Sequence, residues 1–285
     1  MEILIIGGSR FVGPLLVSRL KEHDVTVFNR GTAGMEYPEG VEFIRGDRNE
    51  PMKLGREFDA VIDMCAYEGR QTAKALEELE FKFFIHMGTA AAYRKSSVFP
   101  LTEESPLGAW PLWGDYNRGK VACETVLSES GIQYASVRPV YILGPNNYVP
   151  RESFIYSRLQ RGQEIALPGN GQAIAQFVFA DEVAESIALI AKKKAKGAFN
   201  CCGDDLVTLQ GLVEMMAGIC RKSAKLSFNV NRDGSRFTES EFPFANENFI
   251  CSSAKIKSLG AKFRTLREGL ESDYLSCYRA TSGGK

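Results

Sequence analysis

Tyr116 and Lys120 lie four residues apart, a spacing that places both side chains on one face of a helix. A cation beside a phenol favours the phenolate and lowers the pKa of the tyrosine. Such a phenol can exchange a proton with a hydroxyl or carbonyl group of a substrate, while the lysine holds ribose hydroxyls of a cofactor. Thr89 follows a predicted strand and supplies a hydroxyl that can polarise the reacting oxygen. The three residues predict hydride transfer coupled to proton transfer.

The glycine-rich segment Gly7–Gly13 follows the first predicted strand and opens the first predicted helix. A dinucleotide pyrophosphate requires a tight turn, a backbone that it can approach closely and unpaired N–H groups at a helix N-terminus. Gly7 and Gly8 provide the turn, and Gly13 allows the helix to pack close to the sheet. The strand–loop–helix context predicts a dinucleotide-binding loop. The alternative is an ordinary turn between a strand and a helix.

Two arginines flank the expected site of the adenosine ribose. Arg10 stands where many such loops carry a glycine, and Asn29 and Arg30 directly follow the second predicted strand. NAD-specific proteins usually place a carboxylate there to bind the ribose 2′-hydroxyl. Two arginines without a carboxylate favour a 2′-phosphate, and hence NADP over NAD. The alternative is that both arginines pair with surface acids. Asp47, after the third predicted strand, either bonds the adenine amine or forms a turn.

These groups need a scaffold, and the first half of the chain alternates short apolar runs with amphipathic stretches. The predicted strands are Glu2–Ile6, Val25–Phe28, Glu42–Arg45, Ala60–Asp63, Phe83–Met87 and Tyr134–Val137. The predicted helices are Phe11–Lys21, Gly69–Glu80, Asp181–Lys193, Leu209–Cys220 and Leu266–Tyr278. This alternation predicts an α/β fold, a Rossmann-like doubly wound parallel sheet. Such sheets bind ligands at the C-terminal ends of their strands, where the glycine loop and Thr89 would lie.

The domain boundaries are predicted from the change in pattern along the chain. We expect residues 1–165 to form a dinucleotide-binding Rossmann domain, with residues 172–198 packing back on it. Turn-forming residues become frequent around Gly144–Asn147 and Pro168–Gly171. Residues 199–285 are expected to form a smaller, C-terminal substrate-binding region.

Composition and charge argue against several classes of function. The 285 residues carry 35 basic and 35 acidic side chains, so the formal net charge is zero. This balance argues against a nucleic-acid partner without excluding one. No run approaches the ~18 apolar residues of a membrane span, and no signal peptide is evident. Seven cysteines without a C-x-x-C motif, and only two histidines, predict reduced thiols, no metal site and a cytoplasmic protein.

Over nearly its whole length the chain resembles the extended short-chain dehydrogenases/reductases of the NAD-dependent epimerase/dehydratase family. Gly7–Gly13 resembles the glycine loop of that family, and Phe58–Tyr67 its fourth strand with the Ala-rich turn. Gly88–Tyr93 resembles the segment with the catalytic Ser or Thr. The stretch 116–120 resembles the Tyr-x-x-x-Lys pair, and Val137–Pro139 the signature of the sixth strand.

The resemblance implies catalytic roles for Tyr116 as base and acid, Lys120 as the cation and Thr89 as the polarising hydroxyl. It also implies a homodimer built on the helix that carries Tyr116. The residues expected to bind the cofactor are Gly7, Gly8, Ser9, Arg10, Phe11, Val12, Gly13, Asn29, Arg30, Asp47, Cys65, Ala66, Tyr116, Lys120 and Pro139. Cys65 is expected near the nicotinamide ribose as a small buried residue and not as a nucleophile.

Departures from the family pattern narrow the chemistry. Dehydratase members carry acidic residues directly after the catalytic Thr, where this chain has Ala90 and Ala91, so dehydration of a sugar is not expected. Tyr141 replaces the Asn of the sixth-strand signature. Ala175 and Gln176 stand where an Arg-Asp pair would contact the phosphates of a UDP- or dTDP-sugar, so one cationic contact is missing.

Other segments resemble an atypical branch that includes the chloroplast stem-loop-binding proteins, which resemble epimerases but bind or act on RNA. These segments are Arg10-Phe11, Arg30-Gly31, Asn146–Tyr148 and Glu241–Phe244. Proteins of that branch have a degraded catalytic pair, whereas this chain keeps its Tyr and Lys. That difference and the zero net charge favour a small-molecule enzyme.

The combined hypothesis is an NAD(P)-dependent epimerase or oxidoreductase that exchanges a hydride with a carbinol carbon of a sugar, expected to be nucleotide-linked. The sequence leaves open whether the product is an epimer or a net oxidation or reduction product. One alternative is an RNA-binding or RNA-processing protein on an epimerase-like scaffold. Another is a redox-sensing regulator that binds the dinucleotide without turnover.

Overall fold

A computed structural model describes residues 1–232 and 241–279, which fold into two compact units. Unit 1 comprises Met1–Pro139, Ala180–Cys201 and Ser252–Lys262. Unit 2 comprises Val140–Phe179 and the described parts of Cys202–Cys251 and Phe263–Lys285.

These boundaries differ from those expected from the sequence. Residues 140–165 belong to unit 2 and not to the Rossmann domain, because the chain leaves the large sheet at Pro139. Within the stretch 172–198, only the part from Ala180 onward belongs to unit 1. The expected C-terminal region starting at residue 199 contributes Ser252–Lys262 to unit 1. It also includes 233–240 and 280–285, which lie outside the described residues.

The strands and helices are numbered in chain order. The strands are β1 (Glu2–Ile6), β2 (Asp24–Asn29), β3 (Glu42–Arg45), β4 (Glu57–Phe58), β5 (Ala60–Asp63), β6 (Glu80–Phe81), β7 (Phe84–Met87), β8 (Tyr134–Pro139), β9 (Tyr141–Leu143), β10 (Glu164–Pro168), β11 (Ile174–Phe179), β12 (Gly197–Cys201), β13 (Leu206–Thr208) and β14 (Lys225–Asn229). The α-helices are α1 (Val12–Arg19), α2 (Gly69–Glu78), α3 (Gly114–Glu129), α4 (Arg151–Arg161), α5 (Ala180–Lys193), α6 (Leu209–Cys220), α7 (Ala254–Ser258) and α8 (Leu266–Asp273). Short helical turns of other types are Ala90–Ala92, Pro111–Trp113 and Tyr274–Tyr278.

Unit 1 is built on a seven-stranded sheet with the order β12-β8-β7-β5-β1-β2-β3. All its neighbouring strands are parallel, and the order reverses between β1 and β5. Helix α1 packs against α5, and α2 packs against α3. This arrangement confirms the predicted Rossmann-like α/β fold, in which the reversal point is where ligands bind.

The buried strands explain why the sequence pattern was informative. Ile3–Ile6 in β1 are at most 1% exposed, as expected for a strand covered on both faces. The predicted bounds of β1, β3 and β5 match the observed ones. Strand β12 was not predicted, because Asn200 interrupts its short apolar run. Its amide is accommodated in the core, where Asn200 Oδ1 accepts a hydrogen bond of 2.7 Å from the Tyr93 hydroxyl.

Unit 2 contains a three-stranded sheet, β13-β11-β9, and a two-stranded parallel sheet, β10-β14. Helices α4 and α6 pack against each other, as do α6 and α8. Its core is rich in buried aromatic side chains, namely Tyr141, Phe154, Tyr156, Phe177, Phe179, Phe242, Phe244 and Phe249. Aromatic rings bury large areas, and this cluster gives the smaller unit its own core.

Several features bear on function classes. No helix within 1–232 and 241–279 has the length and apolar character needed to cross a bilayer. Over the same ranges, no group of three or more His, Cys, Asp or Glu side chains is arranged to hold a metal ion. The seven cysteines, all within the described residues, form no disulfide bond with one another.

A buried carboxyl group, Glu152, lies in the first turn of α4 in unit 2. It is 2% exposed and accepts a hydrogen bond from the backbone N–H of Gly144. Its other oxygen has no hydrogen-bond partner among the described residues. The pKa of Glu152 is raised to about 7, chiefly by burial and to a smaller extent by the nearby Asp273, while the Gly144 N–H and Arg151 act in the opposite direction.

We predict that Glu152→Gln flattens the dependence of stability on pH. A carboxyl whose pKa is higher in the folded state than the unfolded value of about 4.5 destabilises the protein as pH rises from that value to about 7. The difference corresponds to about 3 kcal/mol, which Glu152→Gln would abolish. The free energy of unfolding in urea, measured between pH 5 and 8, tests this.

The exposed Glu129→Gln on α3 is the matched control and should follow the wild-type curve. A Glu152→Gln variant with the same pH slope as wild type would show that the carboxyl is not a protonated core group.

Candidate active site

The glycine loop lies at the C-terminal end of β1, at the reversal point of the sheet. Gly7 and Gly8 have φ of +94° and +71°, in the left-handed region that only glycine adopts without strain. A methyl group on Gly13 would lie 2.3 Å from the carbonyl carbon of Gly8, so the first turn of α1 packs directly on the loop. The loop therefore brings the N-terminus of α1 to the edge of the sheet where a pyrophosphate binds.

The remaining loop residues occupy the turn and the start of the helix. Ser9 and Phe11 are half-buried, whereas Arg10 is exposed. Phe11 has a φ of +51°, unusual for a residue with a side chain, and Val12 begins α1. The whole predicted segment thus follows the strand–loop–helix path.

The residues at the C-terminal end of β2 are tied to the glycine loop. The Asn29 amide group donates to the Gly7 carbonyl at 2.8 Å and to the Tyr37 hydroxyl at 2.7 Å. Its oxygen accepts from the backbone N–H of Gly31 at 2.8 Å. The Asn29 side chain thus links the glycine loop to the segment that follows β2. Arg30 follows it and is exposed.

Asp47 serves in a turn. One of its carboxylate oxygens accepts hydrogen bonds from the backbone and side-chain nitrogens of Asn49, both at 2.9 Å. This contact favours the turn-forming interpretation of Asp47, with its second carboxylate oxygen left for other donors.

Lys120 is the most buried member of the predicted catalytic set, with only 3% of its surface exposed. Its ammonium donates to the carbonyl oxygens of Ala66 at 2.8 Å and Met87 at 2.7 Å. It also lies 4.9 Å from the centre of the Tyr67 ring. Burial lowers the pKa of Lys120 below its usual range. Helix α3 is thereby connected to the ends of both β5 and β7.

Tyr116 lies one helical turn before Lys120 and is 42% exposed. Its ring is 6.3 Å from that of Tyr67, centre to centre. Thr89, 7% exposed, follows β7 and its hydroxyl oxygen accepts from the backbone N–H of Ala91 at 3.1 Å. One exposed phenol, one buried ammonium and one hydroxyl thus lie on α3 and after β7.

Cys65 and Ala66 follow β5 and lie beside the glycine loop. A methyl group on Gly7 would lie 3.0 Å from the Cys65 sulfur. The thiol is 3.7 Å from the Ile6 carbonyl, and burial raises its pKa, so the sulfur is a neutral, packed group. Pro139, the last residue of β8, is buried at the same edge of the sheet.

Two buried ion pairs that sequence analysis missed support this edge. Arg48 contacts Asp63 at 2.5 Å and donates to the Gln71 carbonyl at 2.7 Å, which joins β5 to α2. Arg138 on β8 binds both carboxylate oxygens of Glu124 at 2.8 Å, one helical turn beyond Lys120. The sequence did contain one indication, since a charged residue at the end of a fully apolar strand requires a partner.

Asn117 is a further residue that the sequence did not single out. Its amide donates to the Ala91 carbonyl at 2.7 Å and the Gly108 carbonyl at 2.9 Å. It therefore attaches the helix of Tyr116 to the turn of Thr89. Trp110 is 1% exposed and packs 6.3 Å from Trp113, so it belongs to the loop core and does not line an open pocket.

Two residues at which the chain departs from the family pattern are part of the core of unit 2. Tyr141 is 7% exposed, and its ring lies 5.0 Å from Phe244 and 5.4 Å from Phe249. Gln176 donates to the Gly203 carbonyl at 2.6 Å and accepts from the Cys251 N–H at 2.8 Å. Both side chains therefore serve packing in unit 2.

The glycine loop at the reversal point of a seven-stranded parallel sheet defines a Rossmann-type α/β protein. Solved structures share this fold over the whole chain. UDP-glucuronic acid 4-epimerase from Bacillus cereus, solved with NAD, has a TM-score of 0.80 at 17% identity, covering 98% of this chain and 99% of that one. UDP-glucose 4-epimerase from Thermotoga maritima, solved with UDP-glucose, has a TM-score of 0.78 at 20% identity, covering 99% of both chains.

The chain belongs to the NAD dependent epimerase/dehydratase family, which its residues 69–202 match. The chloroplast stem-loop binding protein of 41 kDa b from Arabidopsis thaliana is 31% identical, covering 96% of this chain and 78% of the relative. The 2'-dehydrokanamycin reductase of Streptomyces kanamyceticus is 26% identical, covering 69% of this chain and 60% of the relative.

We predict that Gly119→Ala destabilises the protein. A methyl group there would lie 1.9 Å from the Tyr67 carbonyl oxygen, so α3 would have to move away from the segment that Lys120 binds. The expected loss is about 1–3 kcal/mol of unfolding free energy, measured by urea denaturation.

Gly218→Ala is the matched control, because this exposed glycine in α6 has no neighbouring atom within 4 Å of the added methyl group. It should gain about 0.4–1 kcal/mol. Equal stability of Gly119→Ala and wild type would refute the close contact between α3 and Tyr67.

Proposed function

We propose that this protein is an NAD(P)-dependent epimerase or oxidoreductase that acts on a hydroxyl-bearing carbon of a sugar. The observation that carries the proposal is the position of Lys120. Its ammonium is buried between the ends of β5 and β7, one helical turn from the exposed phenol of Tyr116. A lysine with a purely structural role would not need to lie close to a phenol at the ligand-binding edge of the sheet. Buried ionisable groups of this kind are typical of functional sites.

The cofactor would be held by the glycine loop, by the residues after β2 and by the segment at Cys65 and Ala66. The close packing of Gly8 and Gly13 allows the backbone to approach a pyrophosphate without obstruction. The bound dinucleotide supplies a nicotinamide ring that accepts or returns a hydride. The similar epimerase of Bacillus cereus was solved with NAD, which supports this assignment.

The chain's own residues would manage the proton. Tyr116 would take the proton of the substrate hydroxyl at its phenolic oxygen, and it would return that proton after hydride transfer. Lys120 has three N–H groups, two of which bind backbone carbonyls, so the third can stabilise the phenolate or bind a ribose hydroxyl. Thr89 would orient the substrate oxygen through its hydroxyl hydrogen, since its oxygen accepts from Ala91.

Nucleotide-linked sugars are the first substrates to test, because the Thermotoga maritima epimerase with this fold was solved with UDP-glucose. The contacts to the nucleotide phosphates would have to differ from the family pattern. Ala175 and Gln176 stand where the family has the Arg-Asp pair that contacts these phosphates, and both are buried in the core of unit 2. If the keto intermediate receives the hydride back, the reaction is an epimerisation. If the intermediate is released, the reaction is a net oxidation or reduction.

The exposed Arg10 and Arg30 support NADP as the preferred cofactor. Neither has an ion pair with any described residue, so the alternative of pairing with surface acids has no support within those ranges. A phosphate on the ribose would neutralise them.

A second candidate function follows from similarity to the Arabidopsis relative, whose name describes stem-loop binding. On this hypothesis the scaffold would bind RNA without hydride transfer. The zero net charge weighs against it, whereas the presence of both Tyr116 and Lys120 favours the enzyme.

We predict that Tyr116→Phe lowers kcat by about 10²–10⁴-fold with little change in cofactor affinity, because the proton-exchanging hydroxyl is lost while the ring remains. Turnover of a panel of UDP-sugars with NADP and NAD, followed by the absorbance of reduced nicotinamide and by product analysis, measures this. Tyr134→Phe, at the opposite end of β8, is the control. Stem-loop RNA binding that persists in Tyr116→Phe, with no turnover by wild type, would instead favour the RNA hypothesis.

We propose that the protein is a homodimer formed through α3. An open groove of about 570 Å³ runs along α3 and the start of α2, and it is lined in part by Val121, Ala122 and Val126.

We predict that Val126→Glu shifts the protein to monomers, because a carboxylate would be buried in an apolar contact. Sedimentation equilibrium measures the mass, and Ser128→Glu, an exposed position on the same helix outside the groove lining, is the control. A wild-type monomer would contradict the proposal.

A further inference from the structure

A third arginine, Arg45, joins Arg10 and Arg30 at the edge of the sheet where the adenosine end of a dinucleotide is expected. Arg45 is the last residue of β3, next to the end of β2. It lies fifteen residues beyond Arg30 in the chain, and no motif marks it. The pairing of the two strands brings it to the same place.

The register of the sheet fixes the face on which Arg45 lies. Asn29 on β2 and Arg45 on β3 are paired residues of neighbouring parallel strands, so their side chains emerge on the same face. The Asn29 side chain on that face contacts the Gly7 carbonyl. Arg45 is therefore on the glycine-loop side of the sheet.

The Arg45 side chain bends over the segment that follows β2. Its Nε lies 3.7 Å, and its Cδ 3.8 Å, from the position that a Cβ on Gly31 would occupy. Gly31 has a φ of +69°, and its N–H is bound by Asn29. Because Gly31 directly follows Arg30, the Arg45 side chain lies close to the backbone next to Arg30.

The positive charge at this place is not neutralised by the protein. None of Arg10, Arg30 and Arg45 forms an ion pair with a residue in 1–232 or 241–279. The acid of the same strand, Glu42, is bound by Arg56 and by the Thr26 hydroxyl at the other end of β3. Like charges gathered without a counter-charge favour an anionic ligand.

The Asn29 side chain, the neutral group that could bind a ribose hydroxyl at the end of β2, already has all its hydrogen bonds within the protein. Both N–H groups of the Asn29 amide donate within the protein, and its oxygen accepts from Gly31. The end of β2 therefore offers no carboxylate to a 2′-hydroxyl, whereas guanidinium groups match the oxygens of a phosphate monoester.

We propose that Arg45, together with Arg30, binds the phosphate monoester on the 2′-oxygen of an adenine dinucleotide, and that Arg45 is a specificity-determining residue for NADP. The proposal rests on the proposed function, since it assumes that the glycine loop binds a dinucleotide. It adds a residue outside the loop and the β2 turn, supplied by the neighbouring strand.

Calorimetric titration of the full, cofactor-stripped chain tests the assignment without any substrate. The ligands are NADP, NAD, and the pair adenosine 2′,5′-bisphosphate and adenosine 5′-monophosphate, whose members differ by the 2′-phosphate. The variants are Arg45→Gln, which removes the charge, and Arg45→Lys, which keeps it. Arg19→Gln, which removes an exposed arginine at the end of α1, is the control.

We expect wild type to bind NADP more tightly than NAD. Arg45→Gln should weaken NADP and the bisphosphate about tenfold, the effect of one charge-assisted hydrogen bond, and leave NAD and the monophosphate unchanged. Arg45→Lys should recover part of the loss, and Arg19→Gln should bind as wild type does.

The proposal is overturned if Arg45→Gln leaves the ratio of NADP to NAD affinity unchanged, or if wild type prefers NAD. An equal loss of both ligands, with a lower melting temperature, would also overturn it by showing a structural role. Absence of binding of every nucleotide to wild type would overturn the proposed function itself, a result distinct from binding with an unchanged ratio.

Discussion

The burial of one ammonium group, that of Lys120, is the constraint on which the arrangement of the site depends. Removing an ammonium from water costs several kcal/mol unless hydrogen bonds and nearby charges offset the loss. Here the carbonyls of Ala66 and Met87, the face of the Tyr67 ring and the nearby carboxylate of Asp63 offset part of that loss. The two carbonyls follow or end different strands. The hydrogen bonds that Lys120 makes to them therefore fix the position of α3 relative to both strands.

Two buried arginines near the site also depend on partners that offset the cost of burying a charge. Arg48 and Arg138 are each more than nine-tenths buried, and each is bound by a carboxylate from another element. Removing one partner of such a pair would leave a buried charge uncompensated, which is more costly than never having had the pair. His86 is buried between them on β7, and burial lowers its pKa well below the usual value, so it is neutral. Its two ring nitrogens have no hydrogen-bond partner among the described residues.

The sequence predicted those parts of the molecule that are determined by neighbours along the chain. Short apolar runs located β1 and β5, and the glycines of the first loop required left-handed backbone and close packing. The sequence did not predict contacts between distant residues, such as Asn117 with Ala91, or Arg48 with Asp63. The partner of a buried polar group is chosen by the packing of strands and helices, which residue spacing does not encode.

The unit boundary shows the same limit. Pro139 ends a strand of the large sheet, and Tyr141 begins a strand that pairs with β11 in unit 2. The two strands are separated by a single residue, so nothing in the local composition marks the change of unit.

The alternation of the chain between units has a consequence for how the protein is made. The chain passes from one unit to the other five times, and the outermost strand of the large sheet, β12, ends at Cys201. During synthesis the edge of β8 that faces away from β7 therefore lacks its partner strand until about sixty more residues have emerged. An unpaired strand edge favours aggregation of an incomplete chain, so we expect the ribosome-bound intermediate to aggregate more readily than the finished protein.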